Sequence, residues 1–159
     1  MQYKKPLKFV VSISISLIAG MIGSIFTSTS VDTWYRTLKK PIFNPPDWVF
    51  APVWTFLYII IGFSLFLVCS DEGTSYKTKN TSLTFFSLQL LFNILWSLLF
   101  FGMKNPLLAF VDIILLWSSI ILTMIFFKKI SLIAFVLFIP YILWVTFAIF
   151  LNYAILVMN

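Results

Sequence analysis

The apolar residues of this chain fall into five long stretches separated by short polar segments. Each stretch is close to the ~20 residues that an α-helix needs to cross ~30 Å of hydrocarbon. The Ser-Ile alternation at 12–16 resembles a strand, but a lone strand in lipid leaves its backbone groups unpaired, whereas a helix satisfies them internally. The pattern therefore predicts an all-α membrane protein, a five-transmembrane-helix bundle forming one domain over 1–159, with spans at roughly 9–27, 49–69, 82–102, 106–127 and 132–157.

Composition agrees with this class and excludes others. Hydrophobic residues make up 61% of the chain and charged residues only 10%, against ~45–50% and ~25% in soluble domains. The formal charge of +6 would suit nucleic acid, but the basic residues lie between the apolar stretches rather than along one helix face. With no histidine and with Cys69 as the one cysteine, neither a disulfide framework nor an imidazole metal site is predicted. We expect no metal, no required cofactor and no nucleic-acid partner.

The distribution of Lys and Arg predicts an orientation. Seven of the eleven lie at the N-terminus, in the polar segment 70–80 and in the turn 128–131, and four lie on the opposite side. The positive-inside rule then places the N-terminus in the cytoplasm, and we expect a multi-pass protein of a bacterial plasma membrane. The apolar run from Phe9 to Phe26 is too long for a signal-peptide core, so it is read as the first span.

The two longest connections differ in character. Segment 70–80 predicts an ordinary solvated turn, whereas segment 27–48 combines prolines with aromatic residues that are costly to leave in water. We therefore expect a structured loop between helices 1 and 2 that folds over one mouth of the bundle as a lid. The prolines and aromatic residues that indicate this lid are Trp34, Tyr35, Pro41, Phe43, Pro45, Pro46 and Trp48.

Polar and aromatic side chains share faces on three spans. Helical spacing aligns Trp54 with Tyr58 on the second span and Gln89 with Asn93 and Trp96 on the third. Aromatic walls with a few hydrogen-bonding groups are typical of small-molecule pockets, and a planar ligand would fit them. Spacing alone leaves two alternatives open, because Trp and Tyr also form interfacial belts and amides also join helices. The fifth span adds a stripe of Trp144, Phe147, Ala148, Leu151 and Asn152.

Two further features each have two interpretations. Ser16, Gly20 and Ser24 recur one per turn on the first span, which suits close helix packing either within the bundle or in a dimer. Asp112 is the one acid well inside a span, and it should be protonated or have a partner. A hydrogen bond to a neighbouring helix or an indole N–H is favoured over proton transport, because no chain of further acids accompanies it.

Three segments carry a resemblance to a known family. WYRTLKKPIFNPPDWVFAPVWTFLY at 34–58, QLLFNILW at 89–96 and PYILWVTFAIFLN at 140–152 closely resemble motifs of the TspO/MBR family, the translocator proteins once called peripheral benzodiazepine receptors. The resemblance covers nearly the whole chain. It implies a five-helix bundle, often dimeric, whose first loop caps a pocket for porphyrins, haem-pathway intermediates, synthetic aryl carboxamides and, in some members, sterols.

The resemblance also implies roles for individual residues. The matching positions place Trp54, Asn93, Trp144, Phe147, Ala148 and Leu151 in the pocket wall, and Trp34, Tyr35, Pro45 and Pro46 in its lid. One departure concerns sterols: Leu151 and Tyr153 are followed by no basic residue, so the family's cholesterol-recognition pattern is incomplete. We do not predict a sterol partner.

Together these observations predict a membrane-embedded tetrapyrrole-binding protein that acts as a sensor, carrier or scavenger, with porphyrin-type ligands and the lipid bilayer as partners and a homodimer as the assembly that the resemblance suggests. One alternative is light-dependent porphyrin breakdown through Trp54 and Trp144, since no acid–base cluster supports ordinary catalysis. Another is transport: the lack of an internal repeat argues against it in a single chain, and transport by a dimer or with a partner stays open. The predicted ligand-binding residues are Trp54, Tyr58, Gln89, Asn93, Trp96, Trp144, Phe147, Ala148 and Leu151, and the predicted lid is Trp34, Tyr35, Pro45, Pro46 and Trp48.

Overall fold

The computed structural model describes residues 4–159 and contains helices and no strands over that range. Five segments are long and apolar enough to cross a membrane, which confirms the predicted all-α five-span bundle. The fourth helix continues into one π-helical turn at Leu98–Gly102. The helices are α1 (Lys4–Ser30), α2 (Trp34–Thr37), α3 (Asp47–Ser70), α4 (Tyr76–Ser97), α5 (Pro106–Lys128), α6 (Leu132–Leu137) and α7 (Ile139–Met158).

The polar segment before α4 is shorter than predicted. The expectation of a turn over all of 70–80 is wrong for its second half, because α4 already begins at Tyr76. Ser75 caps this helix, its hydroxyl accepting a hydrogen bond from the Thr78 N–H at 3.3 Å. In the remaining turn Asp71 accepts hydrogen bonds from Thr74, and these bonds lower the pKa of the Asp71 carboxyl. Polar composition alone does not separate a loop from the first turns of a capped helix.

The fifth span is interrupted rather than continuous. A turn at Phe138 separates α6 from α7, two residues before Pro140. Proline has no backbone N–H to continue the helical hydrogen-bond ladder and its ring crowds the preceding turn. The Phe138 N–H bonds instead to the Phe135 carbonyl at 3.1 Å, a tighter turn than an α-helix makes.

Glycines allow α1 and α3 to approach closely. A Cβ on Gly62 would lie 2.9 Å from the Cα of Ile13, and one on Gly20 would collide with the ring of Tyr58. Ser16 is buried in the same seam, while Ser24 is exposed at its far end. For Ser16 and Gly20 the structure therefore favours packing within the bundle over a dimer contact.

Elsewhere α4 packs along α5, α7 packs on α5, and α6 lies between α3 and α5. By contrast α3 has little contact with α4 or α7. In the half of the bundle away from the first loop, α6 and the turn after it fill the resulting gap with Ala134 and Phe138, both fully buried. In the half beneath that loop the gap stays open as a chamber.

Asp112 lacks the partner expected for it. The residue is 5% exposed, and its buried Oδ2 atom makes no hydrogen bond to any residue in 4–159. The indole of Trp117, five residues along the same helix, donates instead to the Thr146 hydroxyl at 2.9 Å. The prediction of a structural hydrogen bond to a neighbouring helix or indole is therefore wrong for this carboxyl.

Candidate ligand chamber

The chamber has a volume of about 390 Å³ and lies between α1, α3, α4 and α7 beneath the first loop. Its wall is largely apolar, and Asp47 is the one charged residue on it within the part of the chain described. Eight of the nine predicted ligand-binding residues line it. They are Trp54, Tyr58, Asn93, Trp96, Trp144, Phe147, Ala148 and Leu151.

Gln89 is the exception. It is fully buried one helical turn below Asn93 and does not reach the chamber wall. Its Oε1 atom accepts a hydrogen bond from the Tyr141 hydroxyl at 2.9 Å. Gln89 and Asn93 share a helix face, but the ~6 Å rise between them carries Gln89 past the chamber floor into the packed core.

The three tryptophans of the wall differ in what their indole N–H groups do. The Trp96 N–H donates to Asn152 Oδ1 at 3.0 Å, and Asn152 in turn donates to the Pro106 carbonyl. The Trp54 and Trp144 N–H groups make no hydrogen bond to residues 4–159, although both rings lie on the wall. These two indole N–H groups are therefore free to donate to a ligand.

Aromatic rings also contact one another around the chamber. Trp54 stacks on Tyr58 with ring centroids 5.7 Å apart and an interplanar angle of 28°. Trp144 contacts Phe147 at 5.5 Å and the edge of Phe50 at 6.1 Å. Phe50 was not among the predicted residues, although it lies four residues before Trp54 and so on the same helix face. That spacing is the signal that finds it.

The chamber floor is polar and hydrogen-bonded. The Tyr58 hydroxyl donates to Asn93 Oδ1, and Asn93 Nδ2 donates to the Tyr141 hydroxyl at 3.1 Å. Tyr141 is fully buried behind this pair, and its hydroxyl donates a hydrogen bond to Gln89 Oε1. Side chains from α3, α4 and α7 thus meet in one chain, which fixes the floor across three helices.

The lid centres on Tyr35, which is 3% exposed and lines the chamber from above. Its hydroxyl donates to Asn44 Oδ1 at 2.9 Å, and the Lys40 ammonium lies 3.9 Å from the centre of its ring. Burial, with a smaller contribution from the Asp47 carboxylate, raises the pKa of Tyr35 to about 12. The hydroxyl therefore stays protonated, as the hydrogen bond to Asn44 requires.

The other predicted lid residues do not line the chamber. Trp34 packs its edge on Phe100 at 5.6 Å, and Pro45 accepts a hydrogen bond from the Asn44 amide at 2.9 Å. Pro46 is exposed at the start of α3, and Trp48 is 74% exposed. Trp34 therefore contacts the wall through Phe100, Pro45 holds the Asn44 side chain, and the exposed Trp48 ring lies off the chamber wall.

One side of the chamber is thin. Five of its lining residues are exposed, and all lie on α1 or α3. One is Asp47 at the start of α3, and the other four are small or flexible: Met21, which is 65% exposed, with Ser24, Ala51 and Thr55. Beyond Gly20 the two helices no longer seal against each other, so this side of the chamber faces the membrane. Sequence reasoning did not place any residue of α1 in the wall.

The chamber wall carries aromatic surface and hydrogen-bonding groups. Within residues 4–159 no three His, Cys, Asp or Glu side chains come together in a way that would hold a metal ion. What the wall offers is stacking surface from indole and phenyl rings, two free indole donors and a polar floor.

The sequence is similar to those of known membrane proteins. The model of the TspO/MBR family matches residues 12–158. The chain is 44% identical to the tryptophan-rich protein TspO of Chlorobaculum tepidum, over 98% of each chain. It is 38% identical to the tryptophan-rich sensory protein of Cereibacter sphaeroides, over 80% of this chain and 78% of the relative. It is 33% identical to the translocator protein of Homo sapiens, over 84% of this chain and 79% of the relative.

Proposed function

The chain belongs to the TspO/MBR family of multi-pass membrane proteins, and from that premise we propose that it binds a flat tetrapyrrole inside the chamber and acts as a sensor, carrier or scavenger of it. The observation that carries the proposal is the pairing of Trp54 and Trp144 on the chamber wall with free indole N–H groups. A chamber of about 390 Å³ lies within the range of small-molecule sites.

The physical basis is stacking in a water-poor space. Aromatic rings favour offset or edge contacts with other π systems, and each such contact adds to the burial of apolar surface. The wall carries Trp54, Trp96, Trp144, Phe147 and Phe100, so a planar ligand finds aromatic partners on several sides. Hydrogen bonds from the free indoles would then fix its orientation.

The absence of histidine from the sequence bears on the kind of tetrapyrrole. A haem would lack its commonest axial ligand here, although methionine and tyrosine also ligate haem iron. The proposal therefore favours free-base porphyrins and open-chain bilins over haem. A binding series across these three classes ranks them directly.

The test is a titration of purified protein with protoporphyrin, followed by quenching of tryptophan fluorescence. Trp54→Phe and Trp144→Phe should each weaken binding by about tenfold, because each removes a stacking surface and an N–H donor, together worth ~1–2 kcal/mol. The dissociation constant is the readout, since energy transfer to the porphyrin quenches distant tryptophans as well.

The matched control is Trp117→Phe. Trp117 lies off the chamber wall and donates to Thr146, so its replacement should leave the dissociation constant within about twofold. Equal weakening by all three substitutions would mean that binding does not depend on the chamber, and the proposal would fail.

A second candidate is light-dependent porphyrin breakdown. It is favoured by the stack of Trp54 on Tyr58, which offers a photoexcited ligand an electron donor within the wall. Illumination of the complex should then bleach the porphyrin faster than detergent alone, and Trp54→Phe should slow the bleaching under conditions where the ligand stays bound. Equal bleaching with and without the protein excludes it.

A further inference from the structure

The hydrogen-bond chain of the chamber floor has a direction. Tyr58 donates to Asn93, Asn93 donates to Tyr141, and Tyr141 donates to Gln89. The proton in each of these three hydrogen bonds points away from the chamber. The Tyr58 hydroxyl, at the chamber end, uses its one proton in the hydrogen bond to Asn93, so its oxygen can only accept a hydrogen bond from a ligand.

At its inner end the chain is unsatisfied. Gln89 is fully buried, and its Nε2 atom has no hydrogen-bond partner within residues 4–159. Buried N–H groups are rarely left unpaired in proteins, and an under-satisfied carbonyl oxygen is tolerated more easily. When the chain runs from Tyr58 to Gln89, it therefore leaves the buried Gln89 N–H groups unpaired, which costs free energy.

The same four side chains can also run the chain in reverse. Amides and tyrosine hydroxyls each both donate and accept. If the two amides turn by half a rotation, Gln89 donates to Tyr141, Tyr141 to Asn93 and Asn93 to Tyr58, while the heavy atoms keep their places. Gln89 then has a partner for its nitrogen, and the Tyr58 proton is free to point into the chamber.

We propose that Gln89 and Tyr141 are positioning residues that set whether the chamber floor offers a ligand a hydrogen-bond donor or an acceptor, although neither touches the ligand. A ligand with a carbonyl or carboxylate oxygen takes the reversed chain and receives the Tyr58 proton. A ligand that presents an N–H takes the forward chain and donates to the Tyr58 oxygen. This rests on the proposed function, because it assumes that a flat ligand reaches the floor.

Gln89→Leu should lock the chain in one direction. Without Gln89 the buried Tyr141 proton has only Asn93 to accept it, and that requirement imposes the reversed direction throughout. Ligands that need the forward direction should then lose affinity, because their binding would strand the Tyr141 hydroxyl without an acceptor. Ligands that accept from Tyr58 should be affected little.

Two flat tricyclic probes separate these outcomes. Carbazole has an N–H donor and no oxygen, and fluorenone has a carbonyl acceptor and no donor, with nearly the same shape. We expect Gln89→Leu to raise the ratio of the carbazole to the fluorenone dissociation constant by about tenfold. In a Tyr141→Phe background, where the link is already cut, Gln89→Leu should change the ratio by less than about twofold.

The control is Ser82→Ala, which alters another fully buried polar residue of α4 that bonds only within its own helix. It should leave the ratio unchanged. The stretching frequency of the fluorenone carbonyl gives a second readout: it should fall on binding to the wild-type protein and to Gln89→Leu, and not on binding to Tyr58→Phe.

An equal loss of affinity for both probes in Gln89→Leu would show a purely structural role and overturn the proposal. So would an unchanged ratio, or a change that persists undiminished in the Tyr141→Phe background. Failure of either tricycle to bind a wild-type protein that binds protoporphyrin also counts against it, because the floor predicts a place for each probe. Failure of protoporphyrin and both tricycles would instead remove the proposed function itself.

Discussion

The two halves of the bundle share α3, α4 and α7 and are packed in opposite ways. In the half away from the lid, here the packed half, Phe86 stacks on Phe127 at 5.8 Å with an angle of only 8°, and Phe138 meets Phe127 edge-on at 5.4 Å. In the half beneath the lid, here the chamber half, Trp54 and Trp144 are only partly buried and border a cavity. The gap between α3 and its neighbours α4 and α7 is therefore filled in one half and open in the other.

The polar floor is the boundary between the halves. Tyr58, Asn93 and Tyr141 join α3, α4 and α7 where packing gives way to the chamber. In lipid, helices gain little hydrophobic energy from meeting one another, so close packing and hydrogen bonds hold them. The packed half supplies the first and the floor supplies the second, and this support leaves the chamber half free to stay open.

The same substitution made once in each half tests whether the two halves differ in packing. Phe127→Ala removes a fully buried ring from the packed half and should destabilise the fold by ~3–5 kcal/mol, through lost contacts and a new cavity. Phe147→Ala enlarges a cavity that already exists, so its cost should be nearer ~1 kcal/mol. Denaturant titration in detergent micelles measures both.

Ligand binding should show the reverse order. Phe147→Ala is expected to weaken protoporphyrin binding, while Phe127→Ala, in protein that remains folded, leaves it nearly unchanged. Equal destabilisation by the two substitutions would mean that the halves do not differ in packing as described.

Much of this arrangement was predictable from the sequence, because lipid restricts what the chain can do. Apolar length alone predicted the span that became α5, Pro106–Lys128, to within a residue. Helical spacing placed Trp54 with Tyr58 and Asn93 with Trp96 on inward faces, since one face of each helix must avoid lipid if it carries polar groups.

What the sequence did not predict depends on depth and on partners. Gln89 shares a face with Asn93, and only its position along the bundle axis removes it from the wall. The break at Phe138 depends on how α6 fits between α3 and α5 as well as on Pro140. Asp112 has no partner for its buried Oδ2 atom within residues 4–159, and the indole N–H of Trp117 bonds to Thr146 instead. Spacing defines a face, but neighbouring helices decide what meets it.

The seam between α1 and α3 provides a second test at smaller cost. Gly62→Ala would force a Cβ against the Ile13 backbone, which cannot rotate away as a side chain would, and should destabilise the protein by ~1–3 kcal/mol. Gly73→Ala is the matched control, because a Cβ there meets nothing within 4 Å. If Gly62→Ala unfolds at the same denaturant concentration as the control, the seam is looser than the structure indicates.

The lid should make the stability of the protein depend on alkaline pH through Tyr35. Because the pKa of Tyr35 is raised to about 12 from its ordinary value of 10.0, the folded state holds this proton where the unfolded state releases it. The stability that this difference contributes is fully present below pH 10 and is lost as the pH rises from 10 towards 12.

Tyr35→Phe should lose the hydrogen bond to Asn44, at a cost of ~1 kcal/mol at neutral pH, and should also lose this part of the alkaline dependence. Unfolding curves of the two proteins between pH 8 and pH 12 isolate the effect, because the two proteins differ in no other side chain. If the stabilities of the two proteins fall in parallel over that range, Tyr35 is not shielded from water, and the lid does not close over the chamber as described.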